Sequence, residues 1–401
     1  MKPKILFVSE AVSLAHVARP SVLAGSLDQC EYDIHFASNG QYPFCYDDHC
    51  WTHHPLPGIS STTFLKRLAS GQPLYTETEL SRYVTDDLSL IKSVNPDLIV
   101  GDFRLSLGIS ARIANIPFFA ITNAHWSPYY SRRTLPSPDL PIARLIGHRL
   151  FGTLFNMAWP LASHFHVRAA NRLRRSYGLS EYASLNEYYC DGDVVMYADY
   201  PGLTPVSQLP DNHVFLGPII WSPPVKELPP WWGILADSSE RPIYATLGTT
   251  GKADLLPQVV AACREAGVRC LVATAGRNGL SSTPPWIYAA PFLPGSEAAE
   301  ISSMVICNGG SASAHQALAK GKPVFGICSN LDQLQTMESL TQAGVGKYIR
   351  ASIAHPKTIS ENIVHMLSVS TYSESAKAMA IGFADWNAGN HFRTLIHQQF
   401  G

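Results

Sequence analysis

The sequence predicts an α/β protein with two Rossmann-like domains, and two observations carry that prediction. Short β-rich runs recur along the chain, each followed by a longer stretch that can be helical, and strands alternating with helices imply parallel sheets covered on both faces. The runs form two series, separated by a segment rich in proline and tryptophan. A chain of 401 residues, 46% hydrophobic and 15% charged, is long enough for two domains with full cores. With 30 Lys and Arg against 31 Asp and Glu, the net charge of −1 gives no global field to recruit nucleic acid or an anionic membrane. Partners must be recognised locally.

The first series reads KILFVSE, DIHFAS, DLIVG, FFAITN, VVMYAD and HVFLGP; the second reads PIYATLG, RCLVATAG, IYAAPF, MVICNGG and PVFGIC. The opening run ILFV is stopped by Ser9 and Glu10, so the N-terminus reads as a first strand rather than a signal peptide. Nowhere do eighteen consecutive apolar residues predict a membrane span. The eight cysteines are scattered without a C-x-x-C pair, which predicts reduced thiols and a cytoplasmic location. CYDDHCWTHH, residues 45–54, has the composition of a metal cluster, but its candidate ligands crowd into one stretch without a second ligand pair on another element. It reads as a polar loop with some buried thiols, and no metal is expected.

Residues 139–177 form an insertion-like helical region, apolar and aromatic with a basic end. The expected role is a pocket wall, since small-molecule sites are mostly apolar and aromatic; a helix lying on a membrane surface is the alternative. Residues 217–233, with five prolines and three tryptophans, read as an extended connector and put the domain boundary near residue 222. The last stretch, SAKAMAIGFADWNAGNHFRTLIHQQF, reads as helical.

CNGGSASAHQAL, residues 307–318, places Gly309, Gly310, Ser311, Ala312 and Ser313 between an apolar run and a helical one. Small residues let a ligand approach the main chain. If the loop opens a helix, its N–H groups and the positive end of the helix dipole suit a phosphate. A tight turn without a ligand is the plain alternative.

With two Rossmann-like halves and this loop in the second, the sequence resembles the GT-B glycosyltransferases. Within them it is similar to the family of the UDP-glucuronosyl/glucosyltransferases and the bacterial macrolide and glycopeptide glycosyltransferases. The likeness is most specific along VICNGGSASAHQALAKGKPVFGICSNLDQLQTMESLTQAGVG, which follows the family run H-G-G-x-G-T…E-A-L-x-x-G-x-P…D-Q, and it extends weakly over the whole chain. The resemblance implies two domains facing across a cleft: residues 1–221 for the acceptor and 222–380 for the nucleotide sugar. Residues 381–401 would be a C-terminal helix packing back on the first domain.

The resemblance also implies roles. Gly309, Gly310, Ser311, Ala312 and Ser313 would hold the donor diphosphate. Asn308 stands where the family usually has a phosphate-contacting His; an amide can donate a hydrogen bond but carries no charge. Asp332 and Gln333 match the pair that binds sugar hydroxyls, with helix capping the plain alternative for Asp332. Gly248 and Thr249, in TLGTTG, would approach the phosphates, and Phe292 and Leu293, in YAAPFLPG, would meet the base. His16, in SEAVSLAHVARP, matches the turn whose His deprotonates the acceptor, although Ala15 replaces the family's Gly. Asp102, after DLIVG, resembles the Asp that orients that His.

The implied reaction is metal-independent, inverting transfer of a sugar from a UDP- or dTDP-type donor to a hydroxyl of a small, partly apolar or lipid-like acceptor. No cofactor is expected, the nucleotide sugar being a substrate. Nucleic acid is not an expected partner, and membrane contact is at most peripheral. A nucleotide-sugar epimerase and a non-catalytic nucleotide-sugar-binding subunit are the competing readings.

Overall fold

The computed structural model describes residues 2–132, 134–225, 227–276 and 286–401. The chain divides into two compact units. One comprises Met1–Leu135, Thr153–Ile219 and Trp386–Gly401, the other Pro136–Gly152 and Ile220–Asp385.

The first unit is built on seven strands: β1 (Lys4–Ser9), β2 (Asp33–Ser38), β3 (Thr52–Pro55), β4 (Leu98–Asp102), β5 (Phe118–Thr122), β6 (Val194–Tyr197) and β7 (His213–Phe215). They lie in the order β3-β2-β1-β4-β5-β6-β7, and every neighbouring pair is parallel. Strands β4 and β5 are buried along their whole length, as expected where helices cover both faces. The helices are delimited by local signals. Ser60 caps Ser61–Ser70 by accepting from the Thr63 N–H, and Thr76 with Glu79 forms a capping box at the start of Glu77–Val94. The helix Ala388–Phe400 joins this unit, with Phe392 fully buried and its ring 6.0 Å from that of Phe7.

The second unit carries β8 (Ile243–Thr246), β9 (Cys270–Ala273), β10 (Ile287–Ala290), β11 (Met304–Cys307), β12 (Val324–Cys328) and β13 (Gly346–Arg350). Their order is β10-β9-β8-β11-β12-β13, again all parallel. Its core joins Ile243, Ala245, Ile306 and Phe325 from the strands to Val259, Ile359 and Ile363 from the helices Leu256–Glu265 and Pro356–Ser368.

Two strands depart from the sequence reading. Residues 52–55, expected within a polar loop, form β3 at the edge of the first sheet, and GKYIR forms β13 at an edge of the second. Edge position explains both, since an edge strand needs no apolar run.

In each sheet the strand order reverses between the unit's first strand and a later neighbour: β1 beside β4, and β8 beside β11. Loops at the carboxyl ends of such a pair diverge to opposite faces, leaving the crevice in which open α/β sheets bind ligands. Ser9 pairs with Asp102 at the end of β1 and β4, and Thr246 pairs with Cys307 at the end of β8 and β11.

Candidate functional site

In the first unit the switch point holds His16 and Asp102. The chain leaves β1, turns, and enters the helix Ala15–Gly25, which sets His16 in its first turn; Asp102 is the last residue of β4. The His16 Nδ1 lies 2.8 Å from Asp102 Oδ1, so the two expected residues meet. Asp102 is fully buried and His16 partly exposed. Arg19 Nη2 also lies 3.0 Å from Nδ1; with the ring proton on Nδ1, facing the carboxylate, Nε2 is left as the acceptor, the tautomer a general base needs.

The structure adds two residues that the sequence reading missed. Arg19, one helical turn after His16, donates from Nε to Asp102 Oδ2 at 2.7 Å and from Nη2 to Oδ1 at 2.7 Å, while Nη1 donates to Asn123 Oδ1 at 2.9 Å. The i, i+3 spacing from His16 is the signal that could have found it, because such residues share a helix face. Phe103, immediately after Asp102, stacks its ring on His16 with centroids 4.5 Å apart and 13° between planes. Its φ of 59° lies in the left-handed region, costly for a bulky side chain and characteristic of functional sites. Phe64 meets Phe103 edge-on at 5.8 Å, Tyr189 lies 5.5 Å from Phe103, and Trp126 lies 5.0 Å from Tyr189. Phe103 thus joins His16 to an aromatic cluster of Phe64, Tyr189 and Trp126.

Behind β1 sits a buried charge cluster, also missed. Arg104 Nη1 donates to Glu10 Oε2 at 3.2 Å, its Nε donates to Asp87 Oδ1 at 3.0 Å, and its guanidinium lies 3.8 Å over the Tyr83 ring. Burial pushes the Glu10 carboxyl up to about 7, against the lowering effect of Arg104.

In the second unit the switch-point loops carry the expected donor residues. Gly309, with φ 83°, turns the chain out of β11, and Gly310 is the N-cap of the helix Ser311–Ala319. A Cβ on Gly309 would lie 2.6 Å from Cys328 Sγ and 2.8 Å from Met337 Cγ, so glycine is required there by space and by backbone alike. Gly310 has no side chain with which to cap the helix. Asn308 ties the two loops together: its Nδ2 donates to Thr250 Oγ1 at 2.9 Å, and its Oδ1 accepts from the Gly310 N–H at 3.1 Å. That N–H is thus already engaged, and the first turn of the helix Ser311–Ala319, with its positive dipole end, follows directly after it. Gly248, with φ 56°, lies against Asn308, a Cβ there falling 3.6 Å from its amide nitrogen, and Thr249 follows in the same loop.

The remaining expected residues are placed as follows. Asp332 stands partly exposed in the first turn of the helix Leu331–Gln342. Gln333 is buried; its Oε1 accepts from Ser329 N–H at 2.8 Å and from Ser329 Oγ at 3.0 Å, while its Nε2 has no hydrogen-bond partner among the described residues. Phe292 is partly exposed, whereas Leu293 is buried in the second unit. In the stretch 45–54, Cys45 is buried and Cys50 exposed. Among the described residues no group of three or more His, Cys, Asp or Glu is placed to hold a metal ion. No helix among them is long and apolar enough to cross a membrane.

The fold is that of the GT-B glycosyltransferases. The spinosyn rhamnosyltransferase SpnG superposes with a TM-score of 0.71 at 17% identity, over 98% of this chain and 100% of that one. No protein-family model matches the chain. A PGL/p-HBAD biosynthesis glycosyltransferase of Mycobacterium tuberculosis (strain ATCC 25177 / H37Ra) is 41% identical over 390 residues, 97% of this chain and 90% of its own length. A PGL/p-HBAD biosynthesis rhamnosyltransferase of Mycobacterium bovis (strain BCG / Pasteur 1173P2) is 42% identical over 382 residues, 95% of this chain and 84% of its own. The chain belongs to this family of PGL/p-HBAD biosynthesis glycosyltransferases. The transferase reading is thereby favoured over the epimerase.

Proposed function

We propose that the chain transfers a sugar, with inversion, from a nucleoside diphosphate of the UDP or dTDP type to a hydroxyl of a partly apolar acceptor, His16 acting as the base. The observation that carries this reading is the 2.8 Å contact between His16 and the buried carboxylate of Asp102. The carboxylate holds the ring and supports the imidazolium formed when Nε2 takes the acceptor proton. In the second unit, the start of the helix Ser311–Ala319 offers N–H groups and a positive dipole end to the charge that grows on the leaving diphosphate. The reading assigns this neutralisation to dipoles rather than to a metal. Asp332 is assigned to a sugar hydroxyl, and the main chain around Phe292 and Leu293 to the base.

The relatives named for PGL/p-HBAD biosynthesis, one a rhamnosyltransferase, support a deoxysugar or hexose donor. SpnG has been solved with thymidine diphosphate, which favours the dTDP type. Phe64, Phe103, Trp126 and Tyr189 near His16 support an acceptor whose hydroxyl sits on a flat or apolar group. The eight free cysteines support a reducing, cytoplasmic setting.

The test is product formation from a panel of UDP and dTDP sugars with phenolic acceptors, with and without chelator. Product that survives the chelator supports the reading. Donor binding without any turnover would replace it with the binding-subunit alternative. Asp332→Ala should weaken the nucleotide sugar by about 1.5–3 kcal/mol, the worth of a hydrogen bond to a charged group, and the bare nucleotide far less. Equal losses would make Asp332 structural.

A further inference from the structure

The helix His148–Ser176 has two apolar faces, and folding accounts for only one. Val167, Ala170 and Leu173 are buried in the first unit's core with Trp159 packed beside them, and Ser163 Oγ accepts the Leu185 N–H at 2.7 Å. Around the other side of the cylinder, Leu154, Met157, Leu161 and Phe165 recur at steps of three and four residues, which stacks them into one stripe. They are 48%, 74%, 79% and 52% exposed. Four large apolar side chains held in water along one face of an already anchored helix mark an interaction surface.

The charge of the same segment selects the partner. Residues 140–177 contain six arginines and no Asp or Glu, though Arg174 is buried against Asp191 and Arg144, on the preceding helix, pairs with Asp139. Arg168 continues the apolar stripe one turn beyond Phe165 and is exposed. Arg172 and Arg175, on the same side, are exposed and pair with Glu77 and Glu181 at the surface. Such exposed pairs are weak and exchange readily for another anion. A second copy of the chain laid on this stripe would bring arginines without a single carboxylate from the facing segment to meet them. A bilayer surface with anionic headgroups offers an apolar boundary to the stripe and anions to the exposed Arg168 and to Arg172 and Arg175 once they exchange their surface partners.

We propose that the outer face of the helix His148–Ser176, from Leu154 to Arg172, docks the protein on an anionic lipid surface. The helix lies on the surface with Met157 and Leu161 in the acyl boundary and the arginines at the phosphates. This goes beyond the transferase reading and does not depend on it.

The test is co-sedimentation of the full chain with vesicles of phosphatidylcholine alone or of phosphatidylcholine with phosphatidylglycerol, at low and high salt. The wild type should pellet with the anionic vesicles, less so at high salt. The double variant Met157→Glu/Leu161→Glu should lose about tenfold or more of this binding, since it removes two large apolar side chains from the contact. Both substitutions are at exposed positions, so its melting temperature should stay that of the wild type. A wild type that stays in the supernatant with anionic vesicles overturns the proposal, as does a variant that pellets equally well. A wild-type dimer that the double variant splits, measured by light scattering without lipid, would assign the stripe to a second copy instead.

Discussion

Arg19 grips Asp102 with two nitrogens, Nε on Oδ2 and Nη2 on Oδ1, each at 2.7 Å, and both residues are buried. The carboxylate that faces His16 is therefore held from behind by a planar fork that fixes its angle as well as its charge.

Removing the fork leaves the buried carboxylate without its guanidinium partner, with only His16 beside it. Arg19→Ala should destabilise the fold by about 3–5 kcal/mol, the usual cost of breaking a buried pair from one side. Arg19→Ala combined with Asp102→Asn should recover part of the loss. Urea unfolding of the single and double variants measures both, and a loss below about 1 kcal/mol for Arg19→Ala would mean that the pair is stabilised elsewhere.

His16→Ala should slow transfer by about 10²–10⁴-fold, the worth of a positioned base, with donor affinity preserved because the donor loops belong to the other sheet. Steady-state rates with saturating donor decide this, and full activity in the variant would remove His16 from the mechanism.

Asn308→Ala should weaken nucleoside diphosphate binding. It deletes two hydrogen bonds, one to Thr250 that links the two loops and one from Gly310 within its own loop, at about 0.5–1.5 kcal/mol each. Calorimetric titration against the wild type is the measurement; unchanged affinity would mean that the loops hold their shape without the link. Gly309→Ala should instead lower the melting temperature, because its Cβ meets Cys328 and Met337.

Glu10 predicts a pH dependence of stability. Its carboxyl is raised from an ordinary 4.5 to about 7 by burial, so between those values the unfolded chain has lost a proton that the folded chain keeps. The unfolded state binds fewer protons there, and stability falls as pH rises through that window. Glu10→Gln removes this contribution. Measured by urea unfolding at pH 5 and pH 7.5, the wild type should lose stability relative to the variant, on the order of 2 kcal/mol. Parallel curves would show that Glu10 is ionised throughout.

The interior strands were legible in the sequence because burial on both faces demands unbroken apolar runs such as LIVGD and FFAIT. β3 was not, since THHP is a mostly exposed edge segment whose backbone pairing leaves no side-chain pattern. His16 and Asp102 were singled out by the family resemblance of the turns after two strands, and their adjacency follows from the register that sets Ser9 beside Asp102. Arg19 escaped notice because an arginine in a helix ordinarily faces water. Nothing local announces that a carboxylate from a strand far along the chain waits for it.

The return of Trp386–Gly401 to the first unit bears on how the protein is made. Phe392 closes on Phe7, the His391 ring nitrogen lies 2.8 Å from the Leu216 carbonyl, and Trp386 packs where Gly217 has no side chain. This segment leaves the ribosome after the whole second sheet. The domain begun first is thus completed last, and during synthesis the Phe7 side of its sheet stays open while its neighbour can already close. Domains ordinarily mature in the order of their emergence. Here the order is inverted by one helix, and a nascent chain stalled before residue 386 would carry an uncovered apolar sheet face, a target for chaperones.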